Sequence, residues 1–136
     1  MNSVDPIKLK VCGMRDTTNI QQVAAEQPDF IGFIFYAASP RFVGNDFALP
    51  SDIAANVARV GVFVNESVPE IMRRVRTVPL EYVQLHGTES PADCRALKAE
   101  GVGVIKVFSI GETFDWRTVL PYKPVVDYFL FDTKGR

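Results

Sequence analysis

Six short runs rich in β-branched and aromatic residues pace this chain, at residues 8–12, 30–35, 60–64, 82–85, 104–108 and 128–131. Their centres fall roughly 22 to 30 residues apart, the length of one strand plus one crossover helix. Helix-length segments fill the gaps. Asp16-Thr17-Thr18 reads as an N-cap, followed by Ile20, Val23 and Ala24 at helical spacing up to Pro28. A second helix starts at Ser67 or Val68, with Pro69 in its first turn and Ile71, Met72 and Val75 on one face. Ser90-Pro91 opens a third, which carries Cys94, Leu97 and Lys98 and stops at Gly101. A shorter fourth is expected over 113–120. The segment 46–56 is expected to hold the helix after the second strand, with Gly44 and Pro50 blurring its start.

Strand and helix alternating this regularly imply an α/β protein with a parallel sheet and right-handed crossovers. Two architectures satisfy the pattern. A doubly wound, flavodoxin-like binding module has near-continuous apolar central strands and usually a Gly-rich phosphate loop after its first strand. Here that turn, Cys12-Gly13-Met14-Arg15, is neither GxGxxG nor a Walker loop. A (β/α)8 TIM barrel places its chemistry at the C-terminal ends of several strands. Cys12, Asn65, His86 and Asp132 each close a strand, which favours the barrel. A complete barrel needs at least about 200 residues. The 136 residues are therefore expected to form a single domain, the N-terminal three-quarters of a barrel with about its first six strands.

Composition narrows the function classes. No linker, low-complexity stretch or charge block divides the chain. With a net charge of -1 and scattered Lys and Arg, it lacks the footprint of a nucleic-acid or membrane-surface binder. No apolar run approaches the roughly 18 residues that span a bilayer, and residues 1–6 are polar and unlike a signal peptide. Two cysteines form no disulfide framework, which fits a reducing cytoplasm, and a single histidine excludes a His-rich metal site.

The strand ends read Lys10-Val11-Cys12-Gly13-Met14, then Gly32-Phe33-Ile34-Phe35 leading to Ser39-Pro40-Arg41, and Gly61-Val62-Phe63-Val64-Asn65. Val83-Gln84-Leu85-His86-Gly87, Ile105-Lys106-Val107 and Leu130-Phe131-Asp132-Thr133 follow. Any one of these could be an ordinary buried strand. Together, in this order and spacing, they resemble the phosphoribosylanthranilate isomerases of tryptophan biosynthesis across essentially the whole chain. The resemblance implies a TIM barrel that carries out an Amadori rearrangement. N-(5-phosphoribosyl)anthranilate, a small-molecule substrate, would become 1-(2-carboxyphenylamino)-1-deoxyribulose 5-phosphate. An acid protonates the ribose ring oxygen and opens the ring to a Schiff base. A base then removes the C2 proton. No cofactor and no metal is implied, because the imine is itself the electron sink.

Residue by residue, the resemblance assigns the base to Cys12 and the acid to Asp132. A free thiol is only about 3% ionised at pH 7, so a cysteine base needs a positive neighbour. Lys10, two residues back on the same strand face, is a candidate. Read from the residues alone, Cys12 is more often a small buried hydrophobe, the usual fate of a free cysteine, and Asp132 more often a turn or N-cap aspartate. A carboxyl that donates at neutral pH needs partial burial or a negative neighbour, such as the substrate's own charge. In a closed barrel the first and sixth strands stand roughly 14 Å apart along the wall, at about 4.8 Å per interval, so the two groups would bracket a substrate. Arg41 matches the family's substrate-holding arginine, able to pair with the anthranilate carboxylate and stack on its ring. His86 matches a pocket-lining position, while Asn65 and Gln84 read as loop-fixing or interior-filling residues.

The sequence stops at Lys134-Gly135-Arg136, in the loop after the sixth strand. The resemblance puts the phosphate-holding backbone N–H groups after strands seven and eight, so they are expected to lie outside it. Taken alone, the 136 residues are expected to turn over substrate negligibly, and a six-stranded wall would leave its first and last strands with unpaired edges. Elsewhere, Cys94 is expected in the core, Arg73, Arg74 and Arg76 on a solvated helix face, and Trp116 packing a helix on the sheet.

Overall fold

The computed structural model describes residues 8–50 and 53–133. The polar start of the chain and Lys134-Gly135-Arg136 lie outside the described residues. Six strands, β1 (Lys10–Val11), β2 (Phe30–Ile34), β3 (Ala58–Phe63), β4 (Tyr82–Leu85), β5 (Gly103–Ile110) and β6 (Tyr128–Thr133), pair in parallel and in strict chain order. A doubly wound sheet reverses direction at a switch point. The sequential order therefore overturns the flavodoxin-like alternative.

The helices begin where short polar side chains can satisfy the free N–H groups of a first turn. Asp16 accepts from the Asn19 N–H to start α1 (Thr17–Ala25), and Ser67 accepts from Glu70 to start α2 (Val68–Thr77). Ser90 and Asp93 form a reciprocal capping box at the start of α3 (Pro91–Ala99). Pro69 and Pro91 sit in first turns, where a missing donor costs nothing.

Two expected helices do not form. The described part of 46–56 is irregular. Its apolar side chains reach the core without a helix: Phe47 packs on Phe33 at 5.0 Å and on Phe35 at 6.1 Å, and Leu49 and Ile53 join the same cluster. Over 113–120 the chain makes only a 3-10 turn, Trp116–Thr118, followed by a second, Leu120–Val125. Pro121 and Pro124 supply no N–H, so the α ladder cannot run through them. Trp116 is 57% exposed and leans on Phe114 and Phe131, at the end of the sheet.

The sheet curls. In a flat sheet β2 and β6, four intervals apart, would be separated by roughly 19 Å. Yet the rings of Phe30 and Tyr128 lie 5.7 Å apart, and Tyr82 of β4 contacts both, at 5.4 and 5.9 Å. Three alternate strands thus contribute one layer of rings to the inside of a wall, the arrangement that fills a (β/α)8 barrel. The chain is α/β, with six strands of such a barrel. Among the described residues β1 pairs only with β2, and β6 only with β5.

Alternation along each strand separates two faces. Ile31, Phe33, Val83, Leu85 and Val104 pack outward against Ile20 and Ala24 of α1, Ile71 and Met72 of α2, and Cys94 and Leu97 of α3. Cys94 is fully buried, as expected. Arg74 is not solvated: it is 9% exposed, with its guanidinium 5.0 Å above the Phe35 ring. The long aliphatic stem lets a charged residue cover apolar surface in this way. No helix among the described residues is long and apolar enough to cross a membrane.

Candidate active site

The other set of alternate residues faces the hollow. At its lower end β1 and β6 look onto one space, a cavity of about 180 Å³ lined by Lys8, Lys10, Phe30, Ile105, Tyr128 and Leu130, with Phe129 beside them. The upper, C-terminal end carries the polar groups.

Cys12 follows β1 and is exposed. A β-carbon on Gly32 of β2 would stand 2.9 Å from Cys12 Sγ and 3.3 Å from Lys10 Nζ. Thiol and ammonium therefore flank the same bare stretch of β2, no further apart than the sum of those two distances. The next residue, Gly13, adopts φ +81°, a conformation that favours glycine. A β-carbon there would lie 2.9 Å from Cδ and Nη1 of Arg41. The arginine of the β2 loop thus lies across the backbone adjoining Cys12. Its own loop is fixed locally: Ser39 Oγ accepts from the Arg41 N–H at 3.1 Å, and Val43 N–H bonds the Ile34 carbonyl at 3.0 Å.

From Arg41 the rim continues to His86. Both line a cavity of about 270 Å³, together with Ile34, Tyr36, Ser39, Val62 and Val64. His86 stands directly after β4, its N–H bonded to the Phe63 carbonyl at 2.9 Å. Its Nε2 lies 3.8 Å from Oδ2 of Asp132 on β6. The Asp132 side chain is 56% exposed, so burial does not isolate it, and its facing partner is the imidazole. Cys12, Arg41, His86 and Asp132 thus form one arc around the mouth, from the first strand to the last.

A second polar cluster lies at the ends of β3 and β4 and on the outward face of β5, where Lys106 pairs in register with Leu85, and only part of it was legible in the sequence. Glu89 and Lys106 pair at 3.0 Å, with side chains 2% and 3% exposed. Lys106 also donates to the Gly87 carbonyl at 2.7 Å. The Glu89 carboxylate accepts from the Asn65 N–H at 2.8 Å and the Gly87 N–H at 2.9 Å. Asn65, at φ +53°, accepts from both the N–H and the hydroxyl of Thr88. The loop-fixing expectation for Asn65 is met. Glu89 and Lys106 gave no signal in sequence, because acidic and basic residues 17 apart pair only once β4 and β5 are adjacent. Gln84 is buried in the strand interior, its Oε1 without a hydrogen-bond partner among the described residues.

A curled parallel wall with polar groups gathered at the C-terminal strand ends is the form of a (β/α)8-barrel protein. The chain belongs to the N-(5'-phosphoribosyl)anthranilate (PRA) isomerase family, whose model matches residues 9–136. It is 46% identical over 125 residues to N-(5'-phosphoribosyl)anthranilate isomerase of Phocaeicola vulgatus, covering 92% of this chain and 60% of that protein. It is 44% identical to the Parabacteroides distasonis protein of the same name, covering 93% of this chain and 58% of the relative. Among solved structures, phosphoribosyl anthranilate isomerase in complex with reduced 1-(o-carboxyphenylamino)-1-deoxyribulose 5-phosphate superposes with a TM-score of 0.71 at 29% identity. That match covers 93% of this chain and 75% of the other. The Thermus thermophilus isomerase, at 23% identity and a TM-score of 0.79, matches in fold over 95% of this chain and 64% of its own. The chain spans about 60% of the length of the curated relatives it matches.

Proposed function

We propose that this chain carries the acid, the base and the anthranilate-side clamp of a PRA isomerase acting in tryptophan biosynthesis. The supporting observation is the arc itself: a thiol at one end of the wall, a carboxyl at the other, and Arg41 and His86 between them.

Arg41 pairs with the anthranilate carboxylate and His86 lines the pocket beside it. Asp132 gives its proton to the ribose ring oxygen, and the ring opens to the Schiff base. Cys12, as thiolate, takes the C2 proton from the opposite side, and the enolamine tautomerises to the ketose. Lys10 stands alongside Cys12 over Gly32, placing an ammonium beside the proposed base. The two reacting groups occupy different strands because they must approach neighbouring substrate atoms from different sides. The phosphate is held by backbone N–H groups after strands seven and eight, within the part of the relatives' length that this chain does not span. The 136 residues make up one domain, three-quarters of the barrel, and the isomerase is cytoplasmic.

Fusing residues 1–133 to the matching C-terminal portion of the Phocaeicola vulgatus relative supplies the remaining strands. The fusion is expected to isomerise N-(5-phosphoribosyl)anthranilate, whereas the 136-residue chain alone turns it over negligibly. A folded fusion without activity would remove the proposal.

A further inference from the structure

The buried pair has no task in the chemistry above, yet its hydrogen bonds run to the loops after β3 and β4, beside the rim. One carboxylate, Glu89, receives three donors from three places: the Asn65 N–H after β3, the Gly87 N–H after β4 and the Lys106 ammonium on β5. Lys106 returns a second bond to the Gly87 carbonyl, so Gly87 is gripped at both its N–H and its C=O. Gly87 adjoins His86, the residue whose imidazole faces Asp132. The Tyr122 hydroxyl closes the far side by donating to the Glu89 carbonyl at 2.6 Å, and the same ring faces the Lys106 ammonium. Only an acceptor-only group can satisfy three converging donors. A glutamine in that place offers one acceptor oxygen and turns a donor toward a second donor.

We infer that Glu89, charge-balanced by Lys106, is a positioning residue for the candidate site: it fixes the height and direction of the His86 backbone, and thereby the His86–Asp132 approach. This rests on the reading that His86 and Asp132 stand in the active site. A buried pair kept only for general stability could sit under any loop. This one ties the loops after β3 and β4 to the middle of β5, next to the rim histidine, and among the described residues none of its hydrogen bonds reaches α1 or β2.

His86 is the sole histidine in the sequence, so its imidazole gives one unambiguous set of ring resonances by NMR in the 136-residue protein. Asp132→Asn should displace that signal, and the displacement measures the contact. Glu89→Asp keeps the charge opposite Lys106 but is one methylene too short to hold both loop N–H groups. Glu89→Gln keeps the length and loses an acceptor. In each the Asp132→Asn displacement should fall below half its original size, with cooperative thermal unfolding retained. Lys106→Arg, which preserves the pair, should keep the displacement. An undiminished displacement in either folded Glu89 variant overturns the inference. So does failure of both variants to fold, which would make Glu89 a general stability residue. If Asp132→Asn leaves the parent signal unmoved, the site reading is what fails. The Glu89 inference then depends on whether Glu89→Asp broadens or splits the His86 resonance, and an unchanged resonance overturns it as well.

Discussion

The two sides of this sheet are built to different ends. Toward the helices, Ile31, Phe33, Val83, Leu85 and Val104 meet Ile20, Ile71, Cys94 and Leu97 in a continuous buried core. Toward the hollow, Lys10, Gly32, Gln84, His86 and Asp132 alternate with rings and aliphatic groups around open cavities. Tyr128 and Leu130 there remain 37% and 39% exposed. One face holds the wall together, and the other leaves room for a ligand and presents polar groups to it. Every strand contributes to both, because successive side chains point to opposite sides.

Substitutions should therefore cost very different amounts on the two faces. Leu97→Ala, which empties a fully buried site on the helix side, should lose about 3 to 5 kcal/mol in chemical denaturation, as large-to-small changes in tight cores do. Leu130→Ala, of the same chemistry but facing the hollow, should lose about 1 kcal/mol or less, since much of that side chain is already in water. Equal losses at the two positions would dissolve the contrast.

Asp127 lies between these extremes, where the chain enters β6. It accepts from Lys98 of α3 and from the Val104 N–H of β5, each at 2.8 Å. Its partial burial raises the carboxyl's pKa, but those two hydrogen bonds outweigh it and leave the value below the usual range. Asp127→Asn should cost about 1 to 2 kcal/mol, the loss of a charge-assisted bond at a half-exposed site. The sign follows from linkage: a lowered folded value gives stability that is present above the unfolded carboxyl's value and lost as pH falls through the folded one. The Asn variant should accordingly show a flatter acid limb in a pH series of denaturation curves.

The smallest effects concern the two thiols, one on each side of the comparison. Burial pushes the Cys94 thiol up to about 11. A raised folded value gives stability that is whole below the unfolded thiol's value, near 9, and lost as pH climbs toward 11. Cys94→Ala should flatten that alkaline decline. At pH 8 iodoacetamide should modify one thiol per folded chain, the exposed Cys12, with mass spectrometry of the peptides as the check. Labelling of Cys94 under folding conditions would contradict its burial.

How far the sequence could be read divides along the same line. The helix-facing core was legible because its signals are local and periodic: Ile20 and Ala24, Ile71 and Met72, Cys94 and Leu97 fall at helical spacing behind recognisable caps. Of the rim residues, Cys12, His86 and Asp132 were legible as strand-end polar groups, and Arg41, in the loop after β2, only through the family resemblance. The helix expected at 46–56 failed because Phe47 and Leu49 find the core from an irregular chain, a tertiary preference with no period. Arg74 looked like one of three solvated arginines, but its guanidinium lies over the Phe35 ring and donates to Asn45, neither of which is near it in sequence. The pairing of Glu89 with Lys106, and the closeness of Arg41 to Gly13, depend on which strands become neighbours. Neither has a local signature.

The central claim is that the thiol and the carboxyl at the two ends of the rim act together on one substrate. The most direct test is the turnover of the completed barrel, residues 1–133 continued by the Phocaeicola vulgatus C-terminal portion, carrying Cys12→Ala or Asp132→Asn. Removal of a positioned acid or base should lower kcat by about 100- to 10,000-fold in each variant, with the fold intact by circular dichroism. Turnover within a few-fold of the parent fusion in either variant would contradict the account.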